Sequence, residues 1–89
     1  MSVLYGLEYE GKLLGFYVSA CPNEDFADTE YHLDDAYNDR PWLTERLEVA
    51  QNVAVTKDRH WWENDYQNPA NPYAGKCRVV KVTLTKEAA

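Results

Sequence analysis

The pair Glu10-Gly11 constrains the fold most strongly, because it predicts a hairpin. Two β-prone stretches, 3–9 and 12–19, flank this pair. A two-residue turn that ends in glycine joins antiparallel strands, and its length fixes which residues face each other. One face of the resulting hairpin is almost wholly apolar, so a second layer of structure must cover it.

The second face of the predicted hairpin carries two glycines. The register set by the turn places Gly6 opposite Gly15, whereas Leu7 and Leu14 meet on the apolar face. Facing glycines leave the backbone uncovered. They either allow another backbone or ring to approach closely, or they mark a local bend of the strands.

Three further segments complete the predicted secondary structure. Apolar and acidic side chains alternate over 29–34, which is typical of a short edge strand protected by charge. The spacing of apolar residues over 43–55 predicts an amphipathic helix with Thr44 as its N-cap. Alternation over 77–85 predicts a last, half-buried strand inside the sheet or beside the hairpin.

Together these segments predict one α+β domain that spans residues 1–89. Its small antiparallel sheet contains the N-terminal hairpin, the short acidic strand and the C-terminal strand, with one helix packed on one face. A chain of 89 residues suffices for a modest core. Since the sequence shows neither a leader pattern nor a long apolar run, we expect no signal peptide, no membrane span and a cytoplasmic location.

The segment 60–73 is rich in aromatic residues and contains two Asn-Pro steps. Residues before proline are pushed away from helical geometry, so the segment is predicted to be a long ordered loop. Its rings either cap an undersized core or form a recognition surface, where Trp and Tyr concentrate binding energy. The candidate partner-binding residues in this segment are Trp61, Trp62, Tyr66 and Tyr73.

The net charge of −6 is unevenly distributed. Seven acidic residues and no Lys or Arg lie between positions 24 and 39. Such a field repels nucleic-acid phosphate, so we expect no direct nucleic-acid binding and a partner with a basic surface. Alternatively, the charges only keep a loop soluble. The candidate partner-binding residues in this acidic region are Glu30, His32, Asp34 and Asp35.

No motif in the sequence identifies a reaction. A Gly-rich phosphate loop, a nucleophile elbow and a dinucleotide fingerprint are all missing. The cysteines and histidines, Cys21, His32, His60 and Cys77, lack the close pairs that zinc sites use. Two cysteines are too few for a disulfide framework, so reduced thiols are expected, with a Cys21–Cys77 bridge as the alternative. We therefore expect no enzyme, no cofactor and no metal site.

Several stretches together resemble small accessory proteins of tailed bacteriophages and prophages. They are 11–16, Pro41-Trp42-Leu43 at the start of the predicted helix, Trp61-Trp62 with Asn64-Asp65-Tyr66 and Pro69, and 79–84. The resemblance is one of general pattern over most of the chain. Members of this group with known roles are often inhibitors that bind a host protein. The resemblance thus implies a viral protein that acts in the host cytoplasm on a host factor, such as a nucleic-acid-handling or anti-phage defence protein.

Two other classes of function are compatible with the sequence. In the first, the glycine face or a strand edge pairs with a second copy, and the chain is a self-assembling, homodimeric domain. In the second, a pocket under the 60–73 segment binds a small ligand.

Overall fold

The computed structural model describes residues 3–19, 30–58, 60–62, 65–84 and 88. At residues 18–19, 30–31, 60–62 and 65–67 it describes the backbone alone. The strands are β1 Val3–Tyr9, β2 Lys12–Leu13, β3 Gly15–Ser19, β4 Glu30–Asp34, β5 Leu43–Thr44, β6 His60–Trp62, β7 Asp65–Asn68 and β8 Arg78–Thr83. A 3-10 helix spans Asp35–Tyr37, and the α-helix α1 spans Leu47–Val55. The predicted α+β class is confirmed.

The hairpin forms as predicted at its turn. Glu10 and Gly11 have φ values of 51° and 80°. A tight turn between two twisted strands needs this left-handed backbone at both of its central residues. Tyr9 pairs with Lys12 across the turn, in the predicted register.

The predicted register is wrong beyond Leu14. From Gly15 onward the chain leaves β1, and β3 pairs with β4 in a separate antiparallel ribbon. β5 takes the vacated edge of β1 and places Leu43 opposite Gly6. Gly6 and Gly15 therefore do not face each other. A period-two pattern determines which face a residue occupies, but it does not determine which strand lies alongside.

The last strand lies directly beside β1. β8 pairs with β1 in antiparallel over six residues, from Val3–Thr83 to Glu8–Arg78. The predicted position beside the hairpin is therefore confirmed. At one end of this pairing, the guanidinium of Arg78 donates to Glu8 Oε1 at 2.6 and 2.9 Å. Because the Arg78 side chain is exposed, this ion pair contributes little to stability.

The acidic strand forms over Glu30–Asp34, as predicted, but it lies outside the main sheet. It pairs with β3. On its other edge, the backbone N–H of Leu33 donates to the carbonyl of Ala70 at 2.8 Å. The Leu33 side chain is 1% exposed, so the apolar side of the predicted alternation points into the core.

The helix begins at Leu47 rather than at position 43, and Thr44 is not its N-cap. Thr44 lies in β5, and its hydroxyl accepts a hydrogen bond from the backbone N–H of Arg46 at 3.2 Å. Arg46 takes the N-cap position without a side-chain cap. Trp42 and Leu43, which the sequence places at the helix start, belong to the β5 region because Leu43 pairs with β1 there.

A small apolar core lies between α1 and the strands. Its members are buried leucines, valines and one alanine: Leu7, Leu14, Leu33, Val49, Val53 and Ala54. Tyr9, Trp42, Tyr73, Cys77 and Val79 pack against its margin. Since the helix starts later than predicted, its buried stripe is shifted toward Val49 and Val53, and Leu47 remains 40% exposed.

The prediction of a continuous loop over 60–73 is wrong in its first half. β6 and β7 form an antiparallel ribbon with a register shift between His60 and Trp62. The sequence pattern of these two segments is too irregular to predict strands. They nevertheless pair with each other across a short connection, since Trp and Tyr are favoured in strands. The ribbon ends at Asn68, the residue before buried Pro69, where the extended backbone required before proline matches the strand.

Gly15 marks the point where the 3-10 helix contacts β3. A Cβ placed at Gly15 would lie 1.8 Å from the carbonyl oxygen of Tyr37 and 2.3 Å from its Cβ. No side chain fits at that distance. The sequence interpretation of a glycine that admits a neighbouring backbone is thus confirmed at Gly15. At Gly6 the close neighbours are the side chains of Leu43 and Leu13.

We predict that Gly15→Ala destabilises the protein by about 3 kcal/mol, since the added methyl group forces the 3-10 helix away from β3. Gly11→Ala is the matched control. A Cβ at Gly11 meets no atom within 4 Å, but φ is 80°, so this change reports backbone strain alone and costs about 1 kcal/mol. Chemical denaturation measures both free energies, and equal losses would contradict the steric role of Gly15.

Candidate functional site

Aromatic rings from three elements meet on the face of the β3–β4 ribbon opposite to Leu33. Tyr17 of β3 pairs with His32 of β4, and their ring centroids lie 4.4 Å apart. The ring of Tyr37, from the 3-10 helix, lies 5.2 Å from that of Tyr17. Both pairs are tilted by about 45°. Tyr17 is therefore held by ring contacts with two neighbouring elements.

An open cavity of about 520 Å³ adjoins these rings. It is lined by Phe16, Tyr17, Tyr37, Arg40 and Pro41. Its volume lies in the range of sites that bind small ligands. The lining residues that the structure describes lie outside the 60–73 segment, under which the sequence predicts a ligand pocket.

Asp34 belongs to the same face as His32 by strand alternation, and it has a structural role. Its Oδ1 accepts a hydrogen bond from the backbone N–H of Ala36 at 2.8 Å, so Asp34 caps the 3-10 helix. A cap uses one carboxylate oxygen and retains the charge. Asp34 thus fixes the helix that carries Tyr37 while it contributes to the acidic surface.

Tyr73 lies beside Asp35 and brings the aromatic segment to the acidic region. Its ring centroid is 4.4 Å from that of Tyr9. Burial raises the pKa of the Tyr73 hydroxyl, and the carboxylates of Asp35 and Asp34 raise it further, although a hydrogen bond to the backbone of Asp35 lowers it. These effects require short distances between Tyr73 and Asp35.

A second contact joins the same two regions. Ala70 forms a parallel bridge with His32 and accepts the hydrogen bond from Leu33. The acidic strand and the aromatic segment, which the sequence presents as two separate candidate surfaces, are therefore adjacent in the fold.

The remaining predicted site residues have a described backbone only. Glu30 is the first residue of β4, Trp61 and Trp62 lie in β6, and Tyr66 lies in β7. Their side chains are outside the described part of the structure, so their role in binding stays a prediction. Cys77 is a free cysteine and therefore forms no bridge, while Cys21 is outside the described residues.

No group of three potential metal ligands occurs among the residues that the structure describes. Within the same residues, no helix is long and apolar enough to cross a membrane.

Sequence reasoning missed Tyr17, Tyr37 and Arg40 as site residues. Tyr17 lies in a strand, and the other two lie in a turn-rich link after the acidic strand. Gly15 was the available signal, because a glycine without a turn role indicates a close neighbour. The sequence gives no means of identifying that neighbour as Tyr37.

Asn71 holds Tyr73 in its position. The amide of Asn71 is fully buried, and its Nδ2 donates to the carbonyl of Val53 at 2.8 Å. Its Oδ1 accepts from the backbone N–H of Tyr73 at 3.0 Å. The carbonyls of the last helical turn have no partner within the helix. Asn71 thus ties the end of α1 to the segment that faces Asp35.

We predict that Asn71→Ala lowers the free energy of unfolding by about 2 kcal/mol, because the backbone N–H of Tyr73 loses its acceptor and the carbonyl of Val53 keeps only its longer hydrogen bond, from Thr56. The control is Gln51→Ala, an exposed position of α1 where alanine favours the helix and little change is expected. Thermal or chemical denaturation measures both. Equal stability of the two variants would show that the buried amide contributes nothing.

Comparisons of the chain with protein-family models, with curated proteins and with solved structures found no match. The function is therefore inferred from the geometry and charge of the candidate site.

Proposed function

We propose that the chain is a small acidic protein of phage type that binds and inhibits a host protein in the host cytoplasm. The partner presents a basic surface, as nucleic-acid-handling and anti-phage defence proteins do. The resemblance of several sequence stretches supports the phage origin, and the charge of the chain supports the basic partner. Neither catalysis nor direct contact with nucleic acid is part of the proposal.

The pairing of Ala70 with β4 is the observation that carries this proposal. It joins the acidic strand to the aromatic segment, and the carboxylates of Asp35 and Asp34 lie close enough to Tyr73 to raise the pKa of its hydroxyl. Protein interfaces typically combine aromatic anchors with a charged rim. In such an interface the acids steer a basic partner, and the rings provide most of the binding energy.

The charge distribution makes this binding sensitive to salt. Exposed charges are screened beyond about 8 Å at physiological ionic strength. Binding carried by Asp34 and Asp35 therefore weakens steeply as salt rises, whereas binding carried by aromatic anchors changes little. The two contributions to affinity are thereby separable.

We predict that the double variant Asp34→Asn, Asp35→Asn weakens partner binding by roughly 10-fold at low salt. Asparagine at position 34 keeps an oxygen that caps the 3-10 helix, so the fold is retained. The tagged chain is used to capture its partner from bacterial lysate, and mass spectrometry identifies what low-salt and high-salt washes leave bound. The activity of the purified partner should fall when the chain is added.

Glu45→Gln is the matched control. It removes one exposed negative charge next to Thr44, which pairs with Tyr5, whereas Asp35 lies near Tyr9, four residues further along β1. Tyr5 and Tyr9 are separated by roughly 13 Å. If Glu45→Gln weakens binding as much as the double variant, general charge rather than this surface is responsible.

Trp61→Ala and Trp62→Ala should each cost on the order of 2 kcal/mol if the aromatic segment supplies anchors.

A second candidate function is self-assembly into a homodimer. The outer edge of β8 has no strand partner among the described residues. The face of the main sheet that contains Gly6 also carries partly exposed apolar side chains, namely Leu4, Leu13, Leu43, Val80 and Val82. An uncovered edge beside apolar side chains is a template for pairing with another chain.

We predict that, if this edge pairs with a second copy, the mass in solution doubles as concentration rises. Val82→Lys should then keep the chain monomeric, because a charge on that face opposes association. Val55→Lys is the control, since Val55 lies on α1 and is already 71% exposed. Sedimentation equilibrium distinguishes the variants, and a monomer at every concentration would reject self-assembly.

A further inference from the structure

We infer that the cavity between Tyr17 and Tyr37 binds a small aromatic carboxylate, that is, a planar ring with one attached carboxylate group. This site is separate from the Asp35–Tyr73 contact and goes beyond the proposed function. Its ligand is inferred from the lining residues that the structure describes, which are two tyrosines, a phenylalanine, a proline and an arginine.

The rings define the body of the ligand. Tyr17 and Tyr37 are among the residues that line a cavity of about 520 Å³, and aromatic pairs prefer tilted or offset contacts with other rings. Tyr17 is supported by His32 on one side and by Tyr37 on another. A planar ring therefore finds a wall that is already in place, and its binding does not have to order that wall.

Arg40 defines the charge of the ligand. Among the described residues of the cavity lining, it is the one that carries a charge. Among the residues that the structure describes, ion pairs join Arg46 to Glu48 and Arg78 to Glu8, and none involves Arg40. A guanidinium is always protonated and matches the two oxygens of a carboxylate.

The backbone that carries Arg40 is fixed on both sides. Its N–H donates to the carbonyl of Tyr37 at 2.9 Å, and its carbonyl accepts from the N–H of Phe16 at 3.1 Å. Pro41 forms a bridge with Gly15 immediately afterwards. The backbone of Arg40 is thus anchored at the cavity, which reduces the entropy that ligand binding must offset.

The net charge of −6 opposes an anionic ligand, and Asp39 is the neighbour of Arg40 in the chain. Exposed charges that are more than about 8 Å away are screened at physiological salt. A carboxylate that touches the guanidinium is governed by that contact, because charge-assisted hydrogen bonds are roughly twice as strong as neutral ones. The local group therefore outweighs the overall charge.

Three ligands with the same ring test the inference on the full chain. Phenylacetate, phenylacetamide and phenethylamine carry a negative, a neutral and a positive group. NMR titration should show phenylacetate binding with a Kd on the order of 10 mM, as expected for a ligand of this size, with shifts at Tyr17 and Tyr37. The amide should bind at least about 10-fold more weakly, and the amine should bind weakest.

Arg40→Gln should remove the preference for phenylacetate over its amide and leave the weak binding of the ring. Lys81→Gln is the control, because it removes one exposed positive charge on β8, on the far side of β1 from β5. Unchanged contact between Tyr17 and His32 in the NMR spectra verifies the fold. Binding that favours the amine, absence of saturable binding, or an unchanged preference in Arg40→Gln would each overturn the inference.

N-acetylphenylalanine identifies the source of such a ligand. Its carboxylate and ring reproduce the end of a polypeptide. Tighter binding than phenylacetate would assign the cavity to a chain terminus, whereas weaker binding would assign it to a free aromatic acid. Both results support the carboxylate site, and loss of the binding in Arg40→Gln is required in either case.

Discussion

The contact between Gly15 and the backbone of Tyr37 is the constraint on which most of the structure depends. With no Cβ at Gly15, the 3-10 helix lies directly against β3. That position brings the ring of Tyr37 to Tyr17 and allows the carbonyl of Arg40 to accept from Phe16. The following residues are then placed to form β5 on the free edge of β1. A missing methyl group thus determines both the path of the chain and the walls of the cavity.

A buried amide has the corresponding role at the other end of the domain. Asn71 satisfies the carbonyl of Val53 at the end of α1 and fixes the backbone of Tyr73. Gly75 donates to the carbonyl of Ala54 in the same turn region. These hydrogen bonds to the last carbonyls of the helix hold the 69–77 segment against α1. This packing places Tyr73 beside Asp35, so that acidic and aromatic residues distant in sequence share one surface.

The parts of the fold that local chemistry specifies were predicted correctly. The turn at Glu10-Gly11, the acidic strand and the existence of β8 follow from backbone conformation and from alternation of side chains. The errors concern the choice of partner. Leu43 fits a helical stripe and a strand equally well, and pairing with Gly6 on β1 decides between them. The error over β6 and β7 has the same cause. Neither segment has a periodic pattern, and each is a strand because it pairs with the other.

In the candidate site, too, local features were predictable from the sequence and contacts between segments were not. Sequence alone determined that the chain is acidic between positions 24 and 39, aromatic between 60 and 73, and of mixed α and β structure. It also indicated that Gly15 marks either a close neighbour or a local bend. Only the tertiary structure decided that Asp35 meets Tyr73, and that Tyr17, Tyr37 and Arg40 line one cavity. The physical reason is that composition and periodicity act over a few residues, whereas a site is formed by contacts between segments whose pairing depends on how all of them pack.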